Sequence, residues 1–389
     1  MQRPALEVAD LLRTLERQGC LQWFGAAQAK VVRALLACRT AVLGGHVDVC
    51  DTCGYEANSY NSCRNRHCPK CQGAATAAWL AAQQQILLPV PYAHVVFTLP
   101  DVLAPLALQN PRVVYGLLFR AVSQTLLQVA ATSRHLGARI GFLAVLHTWG
   151  QNLLHHPHIH CVVPAGGLSA DGSRWVRCRS GFFLPVRVLS RLYRGKLLSF
   201  LEEAHRTGAL EYHGDLSGLR DPQAFRRLLN CARALEWVVY AKPPFGGPEA
   251  VLKYLARYTH RIAISNHRLL QATDTHVSFT WKDYRHQQRR RVMTLEISEF
   301  VRRFLLHVLP DRFVKIRYYG LLAQSQRAAS LEQCRELLNA PRCASTAAAN
   351  SAADGNEQLG ADAADPRVCP RCHIGKLIFQ RALAPIDSS

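Results

Sequence analysis

Apolar positions recur along this chain with two different periods. Over residues 1–45, side chains such as Leu11, Leu12 and Leu15 fall at helical spacing and predict two helices, closed by Gly44-Gly45. Residues 74–88 (AATAAWLAAQQQILL) predict another helix, ended by Pro89 and Pro91, and YAHVVFTLP then reads as a strand. A long helix is expected over 111–132, with Pro111 at its first position. The period changes at 138–164. ARIGFLAVLHTW and HIHCVVP read as strands and the intervening GQNLLHHP as a turn, which together predict an antiparallel hairpin. Residues 182–204 read as strand-to-helix, 222–240 as helix-to-strand, and PPFGG (243–247) as a loop. PEAVLKYLARYTHR predicts a helix begun by Pro248 and Glu249, HVSFTWKDY a strand, and EISEFVRRFLLHVL an amphipathic helix. Residues 341–366 are small and polar and predict a disordered linker, followed by a short tail over 367–389. Helices combined with an antiparallel hairpin predict an α+β fold.

Composition narrows the class. A chain of 389 residues predicts two or three structural units. Hydrophobic content of 49% with 19% charged residues excludes a disordered protein. The formal net charge is +20, and 39 of the 47 basic residues are arginine. Arginine grips phosphate through two parallel N–H bonds, so a polyanion is the expected partner, with nucleic acid ahead of an anionic membrane surface. No apolar run approaches the ~18 residues of a spanning helix, so no membrane partner is expected. The N-terminal MQRPALEVADLLRTLERQ lacks the apolar core of a secretory signal. A cytosolic location follows as an expectation, and the 14 cysteines then read as thiols or metal ligands.

In CDTCGYEANSYNSCRNRHCPKC, Cys50-x2-Cys53 and Cys68-x2-Cys71 are two thiolate turns of the kind that close on one tetrahedral ion. The expectation is a structural four-cysteine zinc site within a zinc-binding segment, 46–88. Cys63, His67 and His46 are left over, either as part of a second site, in exchange with one of the four, or as supporting residues. Arg64, Arg66 and Lys70 give this segment a basic face suited to phosphate. The tail's Cys369 and Cys372 form half a site, to be completed by His373, Cys334 or Cys343, or left degenerate.

On a strand, His158 and His160 point to one face while Ile159 and Cys161 point to the other. Two imidazoles so placed can bind a divalent metal and leave positions open. His147 on the preceding strand, or Gln151 in the turn, would be the third ligand. His155 and His156 read as loop residues. Tyr254 and Tyr258, four apart, share a helix face among Lys253, Arg257, His260 and Arg261. A phenol of pKa about 10 attacks only when a base or positive charge favours the phenolate. A metal and a tyrosine together predict in-line attack on a phosphodiester, with Mg2+ and Mn2+ both compatible. Arg289, Arg290 and Arg291 line a DNA channel or form a solvated basic face. Trp281 and Tyr284 stack on bases or pack a sheet.

HPHIHC, YLARYTHRIAISNHR and the upstream YNSCRNRHCPKCQ together resemble the rolling-circle transposases of the insertion sequence 91 family, across roughly 40–325. The resemblance implies an HUH single-strand endonuclease core over 89–325, an antiparallel sheet flanked by helices, preceded by a small zinc-binding domain. It implies His158 and His160 as the HUH pair, Tyr254 and Tyr258 as paired nucleophiles, and single-stranded transposon ends as substrate; it favours His147 as third ligand. Two alternatives stand beside it: a zinc-containing DNA-binding regulator without catalysis, and a plasmid replication initiator or relaxase with the same chemistry.

Overall fold

A computed structural model of the protein describes residues 4–21, 25–247, 250–251, 262–283, 289–339 and 367–386. In chain order, helices α1 (Val8–Arg17) and α2 (Ala26–Ala37) precede strands β1 (Gly45–Cys50) and β2 (Glu56–Tyr60), then α3 (Gln72–Gln84) and β3 (Tyr92–Thr98). Next come α4 (Ala104–Gln109), α5 (Pro111–Ala131), β4 (Gly141–Trp149), β5 (His155–Pro164), β6 (Gly166–Leu168) and β7 (Trp175–Arg177). Helices α6 (Val186–Arg206) and α7 (Pro222–Ala234) lead to β8 (Val239–Phe245), β9 (Leu269–Ala272), β10 (His276–Asp283) and β11 (Arg289–Glu296). The chain closes with α8 (Ile297–Leu305), β12 (Ile316–Gly320), α9 (Arg327–Leu337) and β13 (Leu377–Leu383). Two compact units result. One joins Glu7–Gly73 to the C-terminal residues from Cys343, and the other comprises Ala74–Arg342 with the first six residues. The tail, expected as a separate segment, therefore folds with the N-terminal unit. The linker expected over 341–366 lies outside the described residues.

The larger unit is built on a five-stranded antiparallel sheet of order β12-β4-β5-β3-β8. Strand alternation decides what each face does. Ala93, Val95 and Phe97 of β3, Ile159, Cys161 and Val163 of β5, and Ala144 and Leu146 of β4 join the main core with α5 and α6. Residues of α5 at helical spacing (Val114, Leu118, Val122, Leu126 and Val129) supply the opposing surface. This helix is long and apolar enough to cross a bilayer, but most of it is buried in the protein. On the sheet's other face, Tyr92, Leu143, Val145 and Val162 pack in a second cluster with Leu331 and Cys334 of α9 and with Val251.

Two local expectations are corrected. Pro243 and Pro244 lie in β8 rather than in a loop, because β8 is an edge strand where a missing N–H costs no ladder bond. His155 and His156 open β5 rather than standing in the turn. A separate sheet of order β11-β10-β9 carries α8, with Phe279 and Phe300 edge-on at 5.5 Å.

The turn between β4 and β5 is clamped from outside. Its carbonyls at Gln151, Asn152 and Leu153 accept from Arg268 (2.6 Å), Arg303 (3.4 Å) and His307 (3.1 Å). His307 is fully buried, and its other nitrogen meets the Thr148 hydroxyl at 3.3 Å. Burial holds its pKa down to about 3 from an ordinary 6.5, with the nearby His155 adding to the shift and the Leu153 bond opposing it. Above pH 6.5 folded and unfolded chains both keep this imidazole neutral. Between 6.5 and about 3 only the unfolded chain takes the proton, so stability falls as pH falls. The slope is up to about 1.4 kcal/mol per pH unit. Replacing His307 with Gln, which retains a donor and an acceptor, should flatten the decline in melting temperature from about pH 7 to about pH 5. An unchanged slope would contradict this assignment.

Candidate functional site

The β4–β5 register sets the histidine geometry. His147 lies directly opposite His158, and Val145 opposite His160, so all three imidazoles emerge on the face turned away from the main core. Ring centroids are 4.5 Å apart for His147–His160, 4.8 Å for His158–His160 and 5.4 Å for His147–His158. One nitrogen from each lies within 4.8 Å of the others. His147 and His160 are buried and His158 is half-buried, which leaves the group approachable from one side.

Hydrogen bonds orient the rings. His158 Nδ1 donates to the His156 carbonyl at 2.7 Å, which places the lone pair on Nε2. His160 Nδ1 meets His94 Nε2 at 2.8 Å, with the two rings stacked. Burial, with smaller contributions from Lys242 and His158, holds His94 down to about 3, so it is a neutral partner at physiological pH. With His160 Nδ1 as donor, its Nε2 carries the lone pair. His94 was not among the sequence candidates. Its role depends on a long-range pairing: β3 lies beside β5, and His94 shares the pleat face of Val96, the residue opposite His160. Three converging imidazoles fit a divalent cation and leave coordination positions for a substrate oxygen.

Tyr254 and Tyr258, with their basic neighbours Lys253, Arg257, His260 and Arg261, lie outside the described residues. Ala250 and Val251, also in the segment predicted as helix, are helical, and the Val251 N–H donates to the Gly247 carbonyl at 3.2 Å. Arg289, Arg290 and Arg291 are exposed on β11, with Arg291 3.3 Å from the buried Asp283 carboxylate. Trp281 is half-buried opposite Arg291. Tyr284 lies outside the described residues.

The expected single site of Cys50, Cys53, Cys68 and Cys71 does not form. Cys68 and Cys71 cluster with Cys38 and Cys63, while Cys50 and Cys53 cluster with Cys369 and Cys372. The hairpin separates the pairs. Asn61 returns to the start of β1, donating its N–H to the Gly44 carbonyl and accepting from Arg39, so the following cysteines meet Cys38. Cys50 is at the far end of β1, about 17 Å away at ~3.3 Å per residue. Sulfur separations in the first cluster are 3.3 Å (Cys38–Cys71), 3.5 Å (Cys38–Cys68) and 3.6 Å (Cys63–Cys71). A tetrahedral ion with Zn–S of about 2.3 Å requires edges of about 3.8 Å, so these residues fit zinc. The crowded thiols split in acidity. Hydrogen bonds from Cys63 and Cys68 drive Cys38 down, and Cys68 is driven up. A Lys70–Glu7 ion pair at 3.0 Å ties this loop to the N-cap of α1. His46, one of the left-over residues, pairs instead with Asp48 at 3.2 Å.

Known proteins resemble the chain in both units. The transposase zinc-binding domain family matches residues 12–99, and a family described as "Putative transposase" matches residues 141–329. The chain is 54% identical over 382 residues to the "Putative transposase y4qJ" of Sinorhizobium fredii, covering 97% of this chain and 96% of that protein. It is 31% identical over 299 residues to the transposase for insertion sequence element IS801 of Pseudomonas savastanoi pv. phaseolicola, covering 76% and 70%. Among solved structures, the conjugative relaxase TrwC in complex with oriT DNA matches with a TM-score of 0.24 and 18% identity. That match covers 45% of this chain and 65% of the relaxase, under two thirds. The α+β chain, with its cysteine-rich N-terminal unit, is a transposase. It belongs to the insertion sequence 91 family of transposases.

All four cysteines of the first cluster lie inside the matched zinc-binding domain. Cys38→Ala should remove one equivalent of zinc and lower the thermal stability of the N-terminal unit, leaving the Ala74–Arg342 unit folded. Metal analysis with calorimetry checks this, and unchanged zinc content with unchanged melting would contradict it.

Proposed function

We propose that this transposase nicks and rejoins single-stranded transposon ends through a covalent phosphotyrosine intermediate, as in rolling-circle transposition. The observation that carries the reading is the convergence of His147, His158 and His160 on one sheet face. Val251, three residues before Tyr254 in the sequence, supports it, being buried against that same face. The β3–β8 pairing delivers the chain there directly from the strand beside His94.

A divalent ion on the three histidines, Mg2+ or Mn2+, would polarise the scissile phosphate and offset its charge. The chain's own groups do the rest. The His156 carbonyl and His94 orient His158 and His160, which with His147 would hold that ion. The phenol oxygen of Tyr254 or Tyr258 loses its proton as it attacks phosphorus in line. A P–O(Tyr) bond forms, the P–O bond to the neighbouring nucleotide breaks, and that end leaves as a free hydroxyl after taking a proton. The phosphotyrosine bond retains the energy of the broken phosphodiester, so rejoining requires no nucleotide hydrolysis. Two tyrosines four residues apart in the sequence would allow two covalent links in alternation. Arginine-rich surfaces, including Arg289 and Arg290 on β11, suit a DNA backbone.

Incubated with Mn2+ and a single-stranded oligonucleotide carrying the element's end, the protein should form a denaturant-resistant adduct. The Tyr254→Phe/Tyr258→Phe double variant should form none, and an adduct persisting in it rejects the reading. His94→Ala should weaken Mn2+ binding about 10- to 100-fold without unfolding the sheet. Titration followed by electron paramagnetic resonance measures this, and unaltered affinity would remove His94 from its positioning role.

A further inference from the structure

We propose that Cys50, Cys53, Cys369 and Cys372 bind a second zinc ion, which fastens the C-terminal tail to the N-terminal unit. Cys50 and Cys53 lie within the matched zinc-binding region, but neither matched family region reaches Cys369 or Cys372. Its sulfurs stand at 3.7 Å for Cys50–Cys372 and 3.7 Å for Cys53–Cys369. That is close to the ~3.8 Å edge of a zinc–thiolate tetrahedron and well beyond the ~2.05 Å of a disulfide.

The two halves of the site have matching local structure, although 316 residues separate Cys53 from Cys369. In the first, the N–H groups of Thr52 and Cys53 point at the Cys50 sulfur (3.4 and 3.5 Å), and Gly54 follows with φ of 67°. In the second, the Arg371 N–H points at the Cys369 sulfur (3.4 Å) and the Gly375 N–H at Cys372 (3.3 Å), and His373 takes φ of 56°. Backbone donors aimed at sulfur stabilise thiolates, and a left-handed residue after the second cysteine turns each loop back from the ion. A non-glycine residue in that conformation at position 373 is strained, which is consistent with a site that holds it in place.

The halves also interlock. The Asp51 carboxylate accepts from the Lys376 N–H at 2.8 Å, and the Asp51 N–H donates to the Lys376 carbonyl at 3.1 Å. A Cβ on Gly375 would stand 2.5 Å from the Cys50 sulfur, so only glycine permits this approach. Beyond the site, β13 pairs with β1 along the sheet edge but buries almost nothing. Ile374, Ile378 and Phe379 are 80%, 56% and 63% exposed. With so little apolar burial, an edge strand at the end of a long polar segment needs another source of attachment, and a four-thiolate ion provides one.

Metal analysis of the full chain tests this independently of strand transfer. The expected result is two zinc ions per chain, falling to one in Cys369→Ser/Cys372→Ser and to one in Cys63→Ser/Cys68→Ser. One zinc in the unaltered chain, two retained in the first variant, or iron in place of zinc would overturn the proposal. Cobalt loading of the unaltered chain gives a readout that needs no variant. Two equivalents of tetrahedral thiolate-bound cobalt support the proposal, and one equivalent overturns it.

Discussion

The antiparallel register between β4 and β5 is the constraint on which the larger unit depends. Setting His147 opposite His158 directs three imidazoles to one face and, by the same alternation, sends Ile159 and Cys161 into the main core. A slip of one residue would turn the imidazoles into the main core and Ile159 and Cys161 away from it, so core packing and metal geometry select the same pairing. Arg268, Arg303 and His307 reinforce that choice by holding the carbonyls of the connecting turn. The histidine centre is thus positioned by the central strands of the sheet.

Legibility in the sequence followed the range of the interactions. The β4–β5 hairpin was readable because strand alternation is local, and so was α5, begun by Pro111. Local spacing failed for the cysteines. Two neighbouring pairs suggested one site, but a strand's length divides them, and each pair completes its set with residues from elsewhere. Cys38 follows a helix with no second cysteine beside it, and Cys369 and Cys372 lie at the other end of the chain. His94 was hidden for a similar reason, since its role comes from β3 lying beside β5. The prolines of β8 signalled a loop, and only the sheet order reveals the edge position that tolerates them.

The two units are stabilised in different ways. The Ala74–Arg342 unit has an extensive core in which α5 and α6 cover one sheet face. The N-terminal unit joins two distant stretches of chain around short strands and two cysteine clusters. Small units with little apolar interior commonly need metal or covalent staples to fold. Four-thiolate clusters with no open position suit that structural task, whereas three imidazoles open on one side suit chemistry.

The central claim is that a metal on the β4–β5 histidines meets a phosphodiester and a tyrosine of this chain. Crystals grown with Mn2+ and a single-stranded transposon-end oligonucleotide, measured at the manganese absorption edge, test it most directly. The account predicts an anomalous peak bonded to His147, His158 and His160, with a phosphate oxygen on the metal and the Tyr254 or Tyr258 oxygen in line with its phosphorus. Manganese bound elsewhere, or both phenols remote from that phosphate, would contradict it.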